Sequence, residues 1–217
     1  ARRKQSGSLI YWFKAFLEKN DAYGKATLIM HTDPKDVHGQ DLEAIMQELN
    51  LLNGEILISK NKVDAIDLAG MYNMADVTIN ISDAEGFGLA TLESLSCGTP
   101  IIVTMTGGMQ DQVTDGENWY GIGLEPVSKA IIGSQDVPYI YEDRLSEEQV
   151  VDALTQMDTM SLEERRTWGV QCREWALQGF NFNTFVENWD ELFTNLHDEH
   201  GSWDTRTGYK KYTVKEL

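Results

Sequence analysis

The first 125 residues alternate between short apolar runs and longer segments with helical periodicity. Between Leu9 and Leu17 the apolar residues recur at helical spacing, which predicts a first helix that ends near Asn20. Similar patterns predict further helices, and four short apolar runs predict buried strands. We predict helices over residues 42–49, 63–74 and 89–97, and strands over residues 26–31, 55–59, 76–82 and 100–104.

The regular succession of strand and helix indicates an α/β fold. Connections long enough for a helix imply that the strands run parallel, with helices on both faces of the sheet. Ligands of such sheets bind at the carboxyl ends of the strands, where loops lead into helix N-termini. We therefore expect Ser82–Gly88 and Thr104–Gly108 to lie on the functional edge.

The pattern changes after residue 126. Residues 128–144 predict a long loop or an edge hairpin around Val137–Tyr141. Ser146 with Gln149, and Ser161 with Glu164, have the spacing of capping boxes, which predicts two more helices. Apolar residues between 182 and 196 predict a last helix, and the polar residues 197–217 predict a tail. The expected organisation is one domain over residues 1–196, which includes these extra helices, and the tail.

Composition and charge narrow the class of protein. With 35 acidic and 18 basic residues among 217, the formal charge is −17, which argues against nucleic-acid or anionic-membrane binding. Two cysteines are too few for a disulfide framework and favour a reducing, cytoplasmic location. No apolar run is long enough to span a membrane. The first residues contain neither a signal peptide nor an initiating Met, so we expect the chain to start within a longer protein.

The Ser82–Glu93 segment carries the candidate chemistry. Gly86 and Gly88 remove side-chain bulk where a strand turns into a helix, so backbone amides can approach an anion. The helix predicted to begin near Leu89 adds the positive end of its dipole. A diphosphate is a suitable ligand for such a loop, although two glycines alone are a weak signal.

Glu85 and Glu93 add hydrogen-bond acceptors to this loop. Glu93 follows Leu89 by one helical turn, on a face that the pattern predicts to be largely apolar. A carboxylate there needs hydrogen-bond donors, and sugar or ribose hydroxyls would supply them. A purely structural alternative stays open at this point, in which Glu85 caps the loop and Glu93 pairs with a core donor.

The segment Met71–Val103 resembles the donor-binding signature of the retaining glycosyltransferases of group 1 (family 4), which have the two-domain GT-B fold. The resemblance rests on the E-x7-E spacing of Glu85 and Glu93, the Gly-Phe-Gly sequence between them, and a Cys-Gly-Thr-Pro turn that begins at Cys97. More loosely, it covers residues 1–195. It implies a Rossmann-like domain, the C-terminal half of a GT-B enzyme.

The resemblance also implies roles for individual residues. Glu85 would bind hydroxyls of the donor sugar near the reacting carbon, and Glu93 would bind the ribose hydroxyls. Backbone amides would hold sugar and phosphate oxygens. These amides belong to Gly86, Phe87, Gly88 and Leu89.

Further positions match the family outside this loop. Arg3 and Lys4 resemble its basic pair before the first helix, with Lys4 on the diphosphate, although a solvated basic cluster is the alternative. The resemblance makes Glu85 and Lys4 the candidate catalytic residues. The turn Gly107-Gly108 resembles the family's Gly-Gly turn, but Asp111 stands where many members have Glu. The resemblance makes Arg3, Gly107 and Gly108 further donor-binding candidates. By position, Ser59 and Lys60 are candidates for the nucleobase pocket.

The reaction implied is transfer of a sugar from a UDP-sugar or a GDP-sugar with retention of configuration. Neither a metal nor another cofactor is expected, because Arg and Lys would neutralise the leaving diphosphate. The acceptor, whether glycan, lipid or protein, is not identified by the sequence. The N-terminal acceptor domain is expected to be missing, so the chain alone should bind a nucleotide sugar weakly and transfer nothing.

The sequence leaves two other classes of function to compare with this one. A non-catalytic interaction module on the same fold is the main alternative, and the intact Glu85, Glu93 and Lys4 argue against it. A dinucleotide-dependent oxidoreductase would need a G-x-G-x-x-G motif with an acidic residue about 20 positions later, which the sequence lacks.

Overall fold

The computed structural model describes residues 2–202, 204 and 205. Contacts between residues divide the chain into two compact units, Ala1–Ala176 and Leu177–Leu217. This division differs from the expected boundary at residue 196. Of the predicted tail, residues 203 and 206–217 lie outside the described residues, whereas residues 197–200 belong to the last helix.

The predicted strands and helices of the first 125 residues are confirmed, with ends that differ by a few residues. A short 3-10 turn, Arg2–Lys4, precedes the first helix. The elements in chain order are α1 (Ser6–Lys19), β1 (Leu28–His31), α2 (Leu42–Glu48), β2 (Ile56–Ser59), α3 (Ala65–Met74), β3 (Thr78–Asn80), α4 (Leu89–Ser96), β4 (Ile101–Thr104), α5 (Met109–Val113), β5 (Gly121–Leu124), β6 (Ser128–Ile131), β7 (Tyr141–Arg144), α6 (Glu147–Thr159), α7 (Leu162–Gly179) and α8 (Phe182–His200).

Both predicted capping boxes are present. The Ser146 hydroxyl accepts from the amide of Gln149, and the Gln149 side chain accepts from the amide of Ser146. At the start of α7, Ser161 and Glu164 exchange the same two bonds, at 2.7 and 3.2 Å. These side chains satisfy amides that a helix leaves unpaired at its N-terminus, which is why the two helices begin there.

The parallel strands form two hydrogen-bonded groups. β1 pairs with β2, while β4 lies between β3 and β5, and all of these pairings are parallel. One continuous sheet was expected. The strands are only three or four residues long, and no ladder joins the two groups among the described residues.

Helices cover both faces of β4, whose four residues are all buried. Ile102 faces a core built with α1 and α6, whereas Ile101 and Val103 face a second core built with α4, α5 and α7. Successive side chains of a strand point to opposite faces, so a strand buried on both faces is apolar throughout. The predicted Rossmann-like architecture is confirmed.

β5 was not predicted, because two of its four residues are glycines. A Cβ on Gly121 would lie 2.1 Å from the carbonyl oxygen of Ile101 on β4. A Cβ on Gly123 would lie 2.5 Å from the sulfur of Met105. Close approach to the backbone of β4 therefore requires glycine at position 121, whereas Gly123 faces the side chains of Met105 and Trp119. Both positions lack the apolar side chains that mark a buried strand.

The segment 128–144 forms an antiparallel hairpin, as one of its two sequence interpretations predicted. Ser128 pairs with Arg144, and Ile131 pairs with Tyr141. The hairpin places Glu142 and Arg144 next to the loop that follows β3, as described below.

α7 is anchored to the second core by side-chain donors. The indole of Trp168 donates to the carbonyl of Trp119 at 2.7 Å, and that of Trp175 donates to the carbonyl of Gln112 at 2.9 Å. The Trp175 ring also stacks on Tyr120, with 4.9 Å between centroids. The two tryptophans therefore pack α7 against the second core.

α8 belongs to the second unit and has no buried residue. Its apolar side chains contact one another along the helix, with 5.2 Å between the ring centroids of Trp189 and Phe193. Their ring faces are nevertheless exposed, to 43% at Trp189 and 60% at Phe193. Across the described part of the chain, no helix combines the length and the apolar character that crossing a membrane requires.

The contact between Gly98 and Gly169 gives a stability prediction. A Cβ on Gly169 would lie 2.3 Å from the Gly98 carbonyl oxygen, so Gly169→Ala should force α7 outward and lower the free energy of unfolding by about 1–3 kcal/mol. Gly70→Ala is the matched control, since it lies within α3 with no atom near its Cβ position and should stabilise by up to about 1 kcal/mol. Denaturant unfolding measures both, and shifts of the same sign would contradict the packing described.

Candidate functional site

Two glycine-containing segments meet at the carboxyl ends of β3 and β4. Gly107, with φ +52°, lies so close to the loop after β3 that a Cβ would be 1.7 Å from the carbonyl oxygen of Glu85. The amide of Gly108 donates to the carbonyl of Gly86 at 2.8 Å. The structure therefore brings the predicted loop and the predicted Gly-Gly turn into backbone contact.

Gly88 ends this loop and caps α4. Its φ of +87° is one that glycine adopts without strain, and a Cβ would lie 2.8 Å from the Thr91 hydroxyl. No side chain caps the helix there. Phe87 and Leu89 on either side are 46% and 69% exposed, so the positive end of α4 opens to solvent.

Gln112 on α5 holds the loop in shape, and the sequence analysis missed it. Its side chain is fully buried, and its amide nitrogen donates to the carbonyls of Phe87 at 2.7 Å and Gly88 at 3.2 Å. Its amide oxygen lies 2.6 Å from the hydroxyl of Thr91. In a trans peptide the N–H points opposite the carbonyl of the preceding residue, so the amides of Gly88 and Leu89 point away from Gln112.

Glu85 accepts hydrogen bonds from the two basic residues that precede α1. Its Oε2 accepts hydrogen bonds from Arg3, at 3.0 Å, and from Lys4. Arg3 also donates to the carbonyl of Ala84 at 2.8 Å. Burial by itself raises the pKa of Glu85, but the bonds from Lys4 and Arg3 outweigh it and hold the pKa below its usual value. The three residues thus form one charged cluster at the loop.

Glu93 lies apart from that cluster, one turn into α4. Glu93 is exposed, and so is Leu89 on the same face of the helix. This face is therefore not the apolar, buried face that the pattern predicted. Its Oε2 accepts from the hydroxyl of Tyr72 at 2.9 Å. Burial of Tyr72 and this bond to Glu93 both raise the pKa of the tyrosine. Tyr72 is therefore a second residue that the sequence analysis did not select.

A buried ionic network surrounds Asp83, near the start of the loop after β3. Asp83 is 4% exposed, accepts a hydrogen bond from Gln5 at 2.5 Å and forms an ion pair with Arg144 at 2.9 Å. Burial raises the pKa of Asp83, and the bond from Gln5 and the charge of Arg144 offset that only in part. Gln5 holds a left-handed backbone, with φ +54°, where the basic turn enters α1. The turn that carries Arg3 and Lys4 is thereby fixed to the loop.

Glu142 joins this network from the β6–β7 hairpin. It is 4% exposed and accepts from Arg144 at 2.9 Å and from Arg2 at 2.8 Å. Burial opposes its ionisation, but the bonds from Arg144 and Arg2 keep the pKa of Glu142 below its usual value. The hairpin and the basic turn are therefore joined through charged groups.

The two nucleobase candidates lie at the end of β2 and bond to residues after β1. The Ser59 hydroxyl is 2.9 Å from Nδ1 of His31, and Lys60 pairs with Asp33 at 3.2 Å. No hydrogen bond or ion pair joins either residue to the Glu85 cluster in the described ranges. Their role stays a prediction.

The arrangement combines two kinds of recognition. Outward-facing amides of a glycine loop, a helix N-terminus and two cations suit a phosphate group, while Glu85 and Glu93 suit hydroxyl groups. Within residues 2–202, 204 and 205, no three His, Cys, Asp or Glu side chains are grouped to hold a metal ion.

The family model described as Glycosyl transferases group 1 matches residues 37–156, which is more than half of the chain. The chain belongs to this family. The match includes the whole loop after β3, the Gly-Gly turn and the Glu93 helix.

Curated relatives of this group 1 chain align over a short part of it. A D-inositol 3-phosphate glycosyltransferase from Arthrobacter sp. (strain FB24) is 34% identical over 76 residues, which are 35% of this chain and 18% of the relative. One from Streptosporangium roseum is 48% identical over 50 residues, 23% of this chain and 12% of the relative. The aligned part is thus less than a fifth of either relative.

Solved structures match the fold over nearly the whole chain. Sucrose-phosphate synthase from Thermosynechococcus elongatus has a TM-score of 0.65 at 24% identity, over 91% of this chain and 43% of that one. HepE from Anabaena, solved in complex with UDP and glucose, has a TM-score of 0.62 at 17% identity, over 90% and 47%. The C-terminal domain of a group 1 family protein from Francisella tularensis has a TM-score of 0.59 at 20% identity, over 82% of this chain and 80% of that one. The group 1 chain thus spans less than half of the two longer proteins.

Glu142 gives a pH prediction. Because its folded-state pKa lies below the ordinary 4.5, its contribution to stability is present above pH 4.5 and is lost as the pH falls through the folded-state pKa. Glu142→Gln should lower the free energy of unfolding at pH 7 by about 1–3 kcal/mol and make the acid dependence below pH 4.5 shallower.

The measurement is denaturant unfolding between pH 7 and pH 3. Asp136→Asn, in the exposed turn of the same hairpin, is the control for loss of one charge. An unchanged slope in Glu142→Gln would mean that Glu142 does not hold Arg2 and Arg144 as described.

Proposed function

We propose that this chain is the donor-binding part of a retaining glycosyltransferase that moves a sugar from a UDP-sugar or a GDP-sugar to an acceptor. The observation that carries the proposal is the joint placement of Lys4, Arg3 and Glu85 beside the glycine loop. Family membership supports it, as does the fold that the chain shares with a protein solved with UDP and glucose.

In this proposal the diphosphate lies on the amides of Gly86–Leu89 and near the positive end of α4. Lys4 and Arg3 neutralise the charge that develops on the leaving diphosphate, in the role that a metal ion has in other enzymes. Gly107 and Gly108, whose turn contacts this loop, also belong to the proposed donor site. The charges needed at the leaving group are therefore supplied by the chain itself.

The two glutamates divide the hydroxyl contacts between them. Glu85 orients the donor sugar next to the diphosphate, and Glu93 accepts from the ribose hydroxyls while Tyr72 fixes its carboxylate at 2.9 Å. Ser59 and Lys60 lie at the end of β2 and are proposed to face the nucleobase. Glu85 positions the sugar and does not act as a base.

The remaining proposals concern the whole protein. The chain spans less than a fifth of the length of the Arthrobacter and Streptosporangium relatives. Acceptor recognition is proposed to come from a separate acceptor domain, so the chain alone is proposed to bind a nucleotide sugar and to transfer nothing. Both cysteines, Cys97 and Cys172, are free, which supports a cytoplasmic, reducing location. A domain boundary near residue 196 remains our proposal for the full-length protein.

The alternative is an interaction module that keeps the fold without the reaction. The exposed apolar side chains of α8, such as Phe185 at 56% and Phe193 at 60%, favour a protein contact. Such a contact is compatible with either function. Nucleotide binding is what distinguishes them.

Calorimetric titration of the chain with UDP, GDP and their sugar conjugates tests the proposal. One nucleotide series should bind, and Glu93→Ala should weaken its binding by about 1–3 kcal/mol, because a charged hydrogen bond to the ribose is lost. Glu117→Ala, an exposed carboxylate on the turn before β5, is the control. Absence of binding by the wild-type chain, or an equal affinity of Glu93→Ala, would contradict the proposed function.

A further inference from the structure

A single carboxylate oxygen holds both cations of the site. Oε2 of Glu85 accepts from Arg3 at 3.0 Å and also from Lys4. The carboxylate is 11% exposed, whereas Arg3 and Lys4 are 42% and 37% exposed. The Glu85 carboxylate therefore already pairs with the two cations, Arg3 and Lys4, that a diphosphate would bind.

A diphosphate must compete with Glu85 for these cations. Bonds to its oxygens draw Lys4 and Arg3 at least partly away from the carboxylate. Glu85 then keeps its charge in a position where water reaches only a small part of it. A buried charge that loses its partners is costly, so binding of a bare diphosphate is weakened by Glu85.

A nucleotide sugar differs from a nucleoside diphosphate at this point. Its sugar hydroxyls can donate to Glu85 after the cations have turned to the diphosphate. The carboxylate then exchanges one set of donors for another, and the cost is reduced. The nucleoside diphosphate that remains after transfer has lost the hydroxyls of the donor sugar. It therefore leaves Glu85 without donors.

We propose that Glu85 is a specificity-determining residue that competes with the diphosphate for Lys4 and Arg3, so that the site favours the intact nucleotide sugar over the nucleoside diphosphate left after transfer. This inference rests on the proposed function. It adds a second role to Glu85, because the same carboxylate that orients the sugar also promotes release of the product.

The test uses inorganic pyrophosphate, UDP, GDP and the UDP and GDP sugars with the intact chain. Glu85→Gln removes the charge and keeps the size of the side chain. It should bind pyrophosphate and the nucleoside diphosphate about three- to tenfold more tightly than wild type, because the cations are no longer neutralised. The preference for the nucleotide sugar over the nucleoside diphosphate should shrink by a similar factor.

Glu125→Gln is the matched control, since it removes one charge at the end of β5, on the same edge of the sheet. Glu125 forms no ion pair with Arg3 or Lys4 in the described part of the chain. Its pyrophosphate affinity should stay within about twofold of wild type if general charge is a minor effect. Thermal melting establishes that both variants are folded.

Each result separates the inference from the proposed function. Equal or weaker binding of pyrophosphate by Glu85→Gln would overturn the inference, as would the absence of pyrophosphate binding by both forms. Equal tightening in Glu125→Gln would also overturn it, since net charge would then explain the effect. Failure of the proposed function would show in different measurements. Wild type would bind neither UDP nor GDP, or Glu93→Ala would bind the nucleotide with the same affinity as wild type.

Discussion

Backbone contact between the loop after β3 and the turn after β4 is the constraint on which the site depends. With a Cβ at Gly107 only 1.7 Å from the Glu85 carbonyl oxygen, a larger residue would push the two segments apart. The bond from the Gly108 amide to Gly86 and the two bonds from Gln112 use the inward groups of the loop. Because the peptides are trans, the amides of residues 87, 88 and 89 point away from these partners, at the start of α4.

Charged groups fix the remaining parts of the site to this loop. Arg144 bridges Asp83 and Glu142, so a hairpin far along the chain contacts the segment that ends β3. Arg2 reaches the same Glu142, and Arg3 and Lys4 reach Glu85. Buried carboxylates are costly unless each has donors, and here the donors come from the N-terminal turn and the hairpin. The network therefore determines where the two cations stand.

Local patterns in the sequence predicted much of the fold. The helices α1 to α4 follow from apolar periodicity, and α6 and α7 follow from capping boxes whose partners are three residues apart. The strand β5 was missed because Gly121 packs closely against the backbone of β4 and Gly123 against the side chains of Met105 and Trp119, constraints that no local pattern reveals. Periodicity also placed Glu93 on a buried apolar face, whereas Glu93 and Leu89 on that face are both exposed.

The site was predictable only where its residues are close in sequence. Glu85, Glu93 and the glycines between them stand out as a motif, and Arg3 and Lys4 were found by resemblance. Tyr72, Gln112, Glu142 and Arg144 act across 21 to 140 residues of chain, so they have no local signal. A buried glutamine or an aspartate–arginine pair could be identified only after the fold had placed the partners together.

The most direct test of the account is an NMR titration of the ¹⁵N-labelled chain with UDP and with GDP. The account predicts that the amide resonances of Gly86, Phe87, Gly88 and Leu89 shift most, together with those of Gly107 and Gly108. Shifts confined to another surface, such as the groove between α1 and α2 lined by Tyr11 and Trp12, would contradict it. So would the absence of any shift at ligand concentrations that saturate binding.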